Sequence, residues 1–354
     1  MIENVIPYPV GCETSRFFGA LSSMHLAATR PQAEGLDHEF VFHVLYAVSG
    51  AGLLRLHQTS IQHQLKSYNT NEILDCISYY MQYAIRYAGY SYKRMSPGEN
   101  EKDEIWAAII QSIDKGIPVL MKLADSDQWN VVAGYREENC ELLGLDAKEH
   151  YDKNGSSFIE PKGYLENGYY YDSEWFAHMD YAIICTPIQR EISLLSAMKK
   201  MCEQLDAQLQ FGMNSYILLL KKDDDFFKQQ SDDFIHSLYG YVDSLLGFLM
   251  ECSHHVSEAF GAVWKGQVGS SAINPRLQDL FSELDSVITN TQGVVGEHWN
   301  YQCENIEKKD LIRHKDYRDT LLSYLYRIAE DDRKALALMQ ETCTLLDPDF
   351  IDHI

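Results

Sequence analysis

The residue with the strongest claim to chemistry is a cysteine near the N-terminus. It lies in Gly11-Cys12-Glu13-Thr14-Ser15, at the start of a stretch of helical periodicity. A thiol held there sits near the positive end of the helix dipole, which favours the nucleophilic thiolate. A second constellation comes from three short apolar runs, Lys115-Gly116-Ile117-Pro118-Val119-Leu120, Trp129-Asn130-Val131-Val132-Ala133-Gly134-Tyr135 and Leu142-Leu143-Gly144-Leu145-Asp146. The interval from Asn130 to Asp146 suits a strand, a tight turn and a return strand. A third is the aromatic segment Tyr164, Tyr169, Tyr170, Tyr171, Trp175 and Phe176, whose polar tips suit a ligand cleft as well as a hairpin packed on a sheet. Trp129 and Tyr135 join Tyr170 and Trp175 as candidate ligand-binding residues. His254 and Glu258 stand at i, i+4 and could share a metal, yet no second such pair completes a site. No phosphate-binding loop, dinucleotide fingerprint, GxSxG or HExxH occurs, so neither a metal nor a cofactor is expected.

The elements that must position these groups follow from hydrophobic periodicity. Residues 14–28, 37–47, 70–89 and 103–115 read as helices, the last ended by Gly116. Ser49-Gly50-Ala51-Gly52 breaks the second, and Leu53–His57 reads as extended. Strands are expected at 118–123, 129–135, 141–145 and 181–185, with Pro187 closing the domain. Beyond it the period is helical throughout. Stripes run over Leu194–Leu205, Phe234–Phe260, Leu277–Val295 and Leu321–Met339, and Asn274-Pro275 marks a helix start. Four such helices predict a bundle. The fold class is α+β: residues 1–187 form a helix-plus-antiparallel-sheet domain and residues 188–354 an all-α domain.

Composition narrows the function. Lys plus Arg number 30 against 52 Asp plus Glu, a formal charge of −22. That excess argues against nucleic acid and against an anionic membrane surface, and is compatible with a cationic small molecule. The eight cysteines, at 12, 76, 140, 185, 202, 252, 303 and 343, are scattered without a CxxC pair, the pattern of reduced thiols. Glu3, Pro7, Pro9 and Arg16 interrupt any signal-peptide pattern, and no apolar run approaches the ~20 residues that span a bilayer. A cytoplasmic protein is the expectation. The long stripe from Phe234 to Phe260 would permit a homodimer through the helical domain.

The three strands read together as G-x-PV, W-x-VV-x-GY and L-x-G-x-D. In this the chain, over about residues 5–186, resembles the C39-like branch of papain-fold cysteine peptidase-like proteins, and more loosely the N-terminal domain of the butirosin-biosynthesis H-type acyltransferases. The resemblance implies a papain-like fold with Cys12 as nucleophile, Asn130 at the position of the catalytic histidine and Asp146 as the acid that would orient it. Two departures matter. An amide cannot act as a general base, and loss of a triad base costs roughly 10⁴–10⁶ in rate. Residues 4–11 also lack the glutamine that papain-type enzymes use as an oxyanion donor. His178, His25 and His43 are the histidines that could replace the base.

Two readings follow. The first is a non-proteolytic descendant that binds a small molecule or peptide, cationic in keeping with the charge, in a cleft at Cys12, Asn130 and Asp146. The second is a Cys-dependent acyl or amide transferase, for which the resemblance implies an acylated carrier and an amine acceptor. An interaction module built on the helices alone is the third.

Overall fold

The computed structural model describes residues 1–2, 5, 16–29, 38–50, 70–124, 129–145, 163–165, 169–190, 192–211, 214–264, 274–304 and 308–346. The chain divides into two compact units, Met1–Leu45 with Met81–Ile192, and Tyr46–Tyr80 with Ser193–His353. The sequence reading cuts the chain once, after 187. Residues 46–80 instead go with the second unit: Tyr46 donates or accepts a hydrogen bond at the Cys252 thiol and lays its ring against His255, and Tyr79 lies under Lys200.

The first unit is mixed helix and antiparallel sheet. Helices α1 (Arg16–Thr29), α2 (His38–Ser49) and α3 (Thr70–Tyr87) precede the strands, and the unit boundary falls within α2 and α3. The seven strands are β1 (Tyr90–Met95), β2 (Val119–Leu123), β3 (Trp129–Arg136), β4 (Glu141–Leu145), β5 (Gly163–Tyr164), β6 (Tyr170–Asp172) and β7 (Met179–Pro187), in the order β1-β7-β2-β3-β4-β6-β5. Every pairing is antiparallel. Helix α4 (Lys102–Asp114) lies between β1 and β2, and the single-turn α5 (Trp175–His178) joins β6 to β7. Gly116 ends α4 at φ +79° and Gly50 ends α2 at φ +85°, where a side chain would be strained.

β1 escapes the sequence reading for a physical reason. Only Tyr90 and Met95 of its six residues are buried, so no alternation shows, and it lies at the sheet edge on β7, where Lys93 and Arg94 guard an open strand. β2, β3 and β4 carry nearly continuous burial, because both faces of the central sheet are covered. One face packs Met95, Val119, Met121, Val132, Leu142 and Ala182 against Ile105, Ile109 and Ile113 of α4. The other meets α1, whose Phe17 sets its ring 5.0 Å from that of Trp129.

In the second unit the described residues of 193–346 contain helices and no strand. They are α6 (Leu194–Phe211), α7 (Asn214–Leu220), α8 (Asp224–Gln229), α9 (Asp232–Trp264), α10 (Pro275–Glu304) and α11 (Lys315–Leu345), with a 3₁₀ segment at Lys308–Arg313. α9 packs on α10, α10 on α11 and α11 on α6. The Phe234–Phe260 stripe is used within the chain: Leu238, Leu249, Cys252, Val256 and Phe260 are all buried. A dimer through that stripe would have to open the helical core. No described helix is long and apolar enough to cross a membrane.

Lys200 of α6 is an unusual member of this unit. Its ammonium donates to the Ser49 carbonyl at 3.4 Å and lies 4.3 Å from the Tyr79 ring centroid. Burial penalises the charge and pulls its pKa down to about 7. The unfolded amine titrates near 10.4, at roughly the model-peptide value. Between those values the unfolded chain binds a proton that the folded chain lacks, so stability rises with pH across that window; below it both states are charged and the folded state bears the full penalty. The urea midpoint is therefore expected to climb from pH 7 to about 9.5, and Lys200→Met should flatten the climb.

Candidate functional site

The sequence candidates divide sharply. Cys12 and Asp146 lie outside the described residues, as does Leu53–His57. Asn130 is described, at the start of β3. Its cross-strand partner is Met121, Met121 faces Ala182, and Ala182 faces Met95. Cross-strand partners share a face, so Asn130 is an amide in an otherwise apolar row on the α4 side of the sheet. Trp129, one residue earlier, points to the α1 side.

Asn130 is 6% exposed, and its Oδ1 has no hydrogen-bond partner among the described residues. A buried carbonyl left bare costs about 1–3 kcal/mol. Asn130→Leu keeps the branched shape, removes that penalty and continues the apolar row. It is expected to stabilise the unit by about 1 kcal/mol, a rise in Tm of roughly 2–4 °C by calorimetry.

The aromatic candidates are corrected by burial. Trp175 has no exposed surface; it stacks on Trp106 at 5.8 Å and 22°, and its Nε1 donates to the Cys140 carbonyl at 3.0 Å. It is a core residue and not the wall of an open cleft. Tyr170 is 2% exposed and lies over Gly144, where an added Cβ would come within 2.6 Å of the Tyr170 hydroxyl oxygen. Gly144 thus makes room for a packed ring. Tyr135 is partly exposed; its hydroxyl donates to Asp114 at 2.8 Å and its ring meets Trp106 edge-on. Trp129 is buried between Phe17 and Tyr181. Tyr169 clamps the N-terminus: its hydroxyl donates to the Ile2 carbonyl and accepts from the Val5 amide, both at 3.2 Å, while Ile2 N–H bonds the Ala133 carbonyl of β3. An open groove of about 700 Å³ lies along α4, lined by Lys93, Met95, Glu104, Trp106 and Gln111 among others, and none of the candidate site residues lines it.

The histidines resolve differently from one another. His25 is buried on α1 with Nδ1 3.3 Å from the Tyr90 hydroxyl, whose pKa burial raises. His43 is buried on α2, 3.8 Å from Glu39. His178 alone has the geometry of an oriented base. Its Nδ1 is 2.8 Å from Asp172 Oδ2, with the histidine side chain 22% and the carboxylate side chain 8% exposed. The other oxygen, Oδ1, accepts the Glu174 amide at 2.7 Å. A carboxylate so held fixes the ring and leaves Nε2 as the working nitrogen. Asp172 escaped the sequence reading because it sits six residues from His178 across a bend and a helical turn, a spacing without a motif.

One further pairing looks catalytic and is structural. His38 Nε2 lies 2.9 Å from both Ser22 Oγ and Ser23 Oγ. Ser22 and Ser23 are both buried, and the contact ties α2 to α1.

No protein-family model matches the chain, and comparison with curated proteins and with solved structures finds no match to either.

Proposed function

We propose that this chain is a C39-like, papain-fold protein followed by a helical bundle, and that its α/β unit binds a small molecule or peptide rather than hydrolysing one. The observation that carries this reading is the bare Oδ1 of Asn130, buried in an apolar row at the head of β3. A site built to accept a hydrogen bond favours a ligand with an amine or amide N–H, and the formal charge of −22 favours a cationic one. In this reading Cys12 and Asp146 complete the cleft, as the resemblance implies.

Thermal shift with spermidine and with triglycine tests the reading on the full chain. A rise in Tm for the wild type that is lost in Asn130→Leu supports it. No shift with either probe, or an equal shift in the variant, overturns it.

The His178–Asp172 pair favours a second reading, a Cys-dependent acyl or amide transferase with Cys12 as nucleophile and His178 as base. Transfer of an acetyl group from a small thioester to spermidine, lost in both Cys12→Ala and His178→Ala, would put this reading first.

A further inference from the structure

β1 forms one edge of the sheet, and β7 and β2 separate it from β3 and Asn130. No described strand covers its outer side. The ladder with β7 shows which backbone groups that side presents. Tyr90 faces Pro187, Tyr92 faces Cys185 and Arg94 faces Ile183. Proline has no N–H to give, and on the next rung the Ile188 N–H bonds the Gly89 carbonyl at 2.9 Å. Hydrogen-bonded pairs alternate with unbonded ones in an antiparallel ladder. Ser91, Lys93 and Met95 are thus the residues whose backbone serves β7, and the N–H and C=O groups of Tyr90, Tyr92 and Arg94 point away from it.

The side chains give this edge a charge and a shape. Lys93 and Arg94 are consecutive and exposed, so they stand on opposite faces of the sheet. Lys93 is on the α4 side, 3.4 Å from Glu104 in a pair whose members are both more than half exposed. A surface pair of that kind is weak and open to a further carboxylate. Arg94 is on the α1 side, its guanidinium 4.1 Å from the Tyr181 ring centroid. Beside the edge runs the open groove along α4, lined by Lys93 and Met95 of β1 and by Trp106 and Ile110 of α4 among others. The acids in its lining are engaged, Glu104 by Lys93 and Asn100, and Asp114 by the Tyr135 hydroxyl.

We propose that β1 is a docking edge for an extended acidic segment of a partner protein, which adds to the sheet as a further strand. The outward backbone groups of Tyr90, Tyr92 and Arg94 supply the main-chain bonds. Guest residues opposite Lys93 and Arg94 are consecutive and fall on the two faces, so a pair of adjacent carboxylates meets one cation each. The guest residue opposite Met95 lies on the groove side, where an apolar side chain fits beside Trp106 and Ile110. Charge selects this occupant over a second copy, because two β1 edges laid together would bring Lys93 and Arg94 of both into one ladder. The formal charge of −22 belongs to the whole chain. Beyond the Debye length of ~8 Å its acids are screened, and the cations on the edge decide the contact. This edge is separate from the Asn130 row, so either site stands without the other.

Fluorescence anisotropy on the full chain tests this with the end-capped peptide TVEEVT and its charge-reversed counterpart TVKKVT. The acidic peptide is expected to bind about tenfold more tightly than the basic one, and added salt should narrow the difference. A fully N-methylated TVEEVT keeps the carboxylates, lacks every N–H and should not bind. Hydrogen exchange followed by mass spectrometry should show slower exchange over Tyr90–Met95 when TVEEVT is bound. The double variant Lys93→Glu/Arg94→Glu, both exposed positions, should reverse the preference to TVKKVT, with circular dichroism checking that it folds. The proposal is overturned if neither peptide binds, if the N-methylated peptide binds equally well, or if TVEEVT binds and leaves exchange over Tyr90–Met95 unchanged. A dimer in sedimentation velocity with concentration-dependent protection of Tyr90–Met95 would also overturn it, giving the edge to a second copy.

Discussion

Asp224→Ala is expected to destabilise the helical unit by about 3 kcal/mol, although its side chain is 47% exposed. The reason is its partner. Arg318 is 2% exposed and stacks its guanidinium 4.2 Å from the Phe227 ring centroid; Nη1 donates to the Ile312 and Arg313 carbonyls at 2.9 and 2.7 Å, and Nη2 pairs with Asp224. Asp224 is the only carboxylate ion-paired with Arg318 among the described residues. Removing it leaves a charge buried against an aromatic ring and two neutral oxygens. The residual exposure of Asp224 puts the cost at the lower end of the usual range of ~3–5 kcal/mol. The double variant Asp224→Ala/Arg318→Met discriminates this account from simple loss of packing. It takes the charge away and keeps most of the side-chain volume, so it should be more stable than Asp224→Ala alone. Urea unfolding of the two variants checks the order, and the reverse order would show that the ion pair is not what Asp224 contributes.

Trp175→Ala carries the other large effect, an expected loss of about 3–5 kcal/mol from the α/β unit. The indole is the largest fully buried side chain described. It packs with Leu142, Met179 and Ile109, stacks on Trp106, meets Phe176 edge-on and carries the Lys102 ammonium 5.6 Å from its ring centroid. Truncation removes that contact and orphans the Cys140 carbonyl that the indole N–H serves. If Trp175 lined an open ligand cleft, as its sequence neighbourhood suggests, the same change would cost well under ~1 kcal/mol and would act on binding instead. Thermal unfolding of Trp175→Ala alongside Tyr171→Ala, a partly exposed neighbour four residues before it in the same segment, separates the two cases. The expected result is a large fall in Tm for the first and a small one for the second.

These two residues mark the limits of what the sequence conveys. Periodicity located the helices that became α1, α2, α3 and α4, the strands β2, β3, β4 and β7, and the four long stripes of α6, α9, α10 and α11, because each of these buries a face and burial imposes a period on the residues that supply it. The turn glycines Gly50 and Gly116 were legible for a similarly local reason: a left-handed backbone leaves few residue types to choose from. β1 was not legible, since an edge strand with two buried residues has no pattern to read.

The site was legible only as an inventory of residue types. The sequence by itself shows an amide, Asn130, at the position where the fold it was read as resembling would need a base, and that reading requires no coordinates. It could not say which side of the sheet the amide occupies. Side chains alternate along a strand, so Trp129 and Asn130 necessarily face opposite ways, but which of the two meets α1 and which meets α4 depends on how helices far apart in the chain pack on the sheet. The same holds for the pairings no motif announces: Asp172 with His178, and Asp224 with Arg318 far along the chain. Composition and spacing fixed which groups were present and which elements could form. Tertiary packing alone decided which groups became buried, which were brought together, and therefore which can do chemistry.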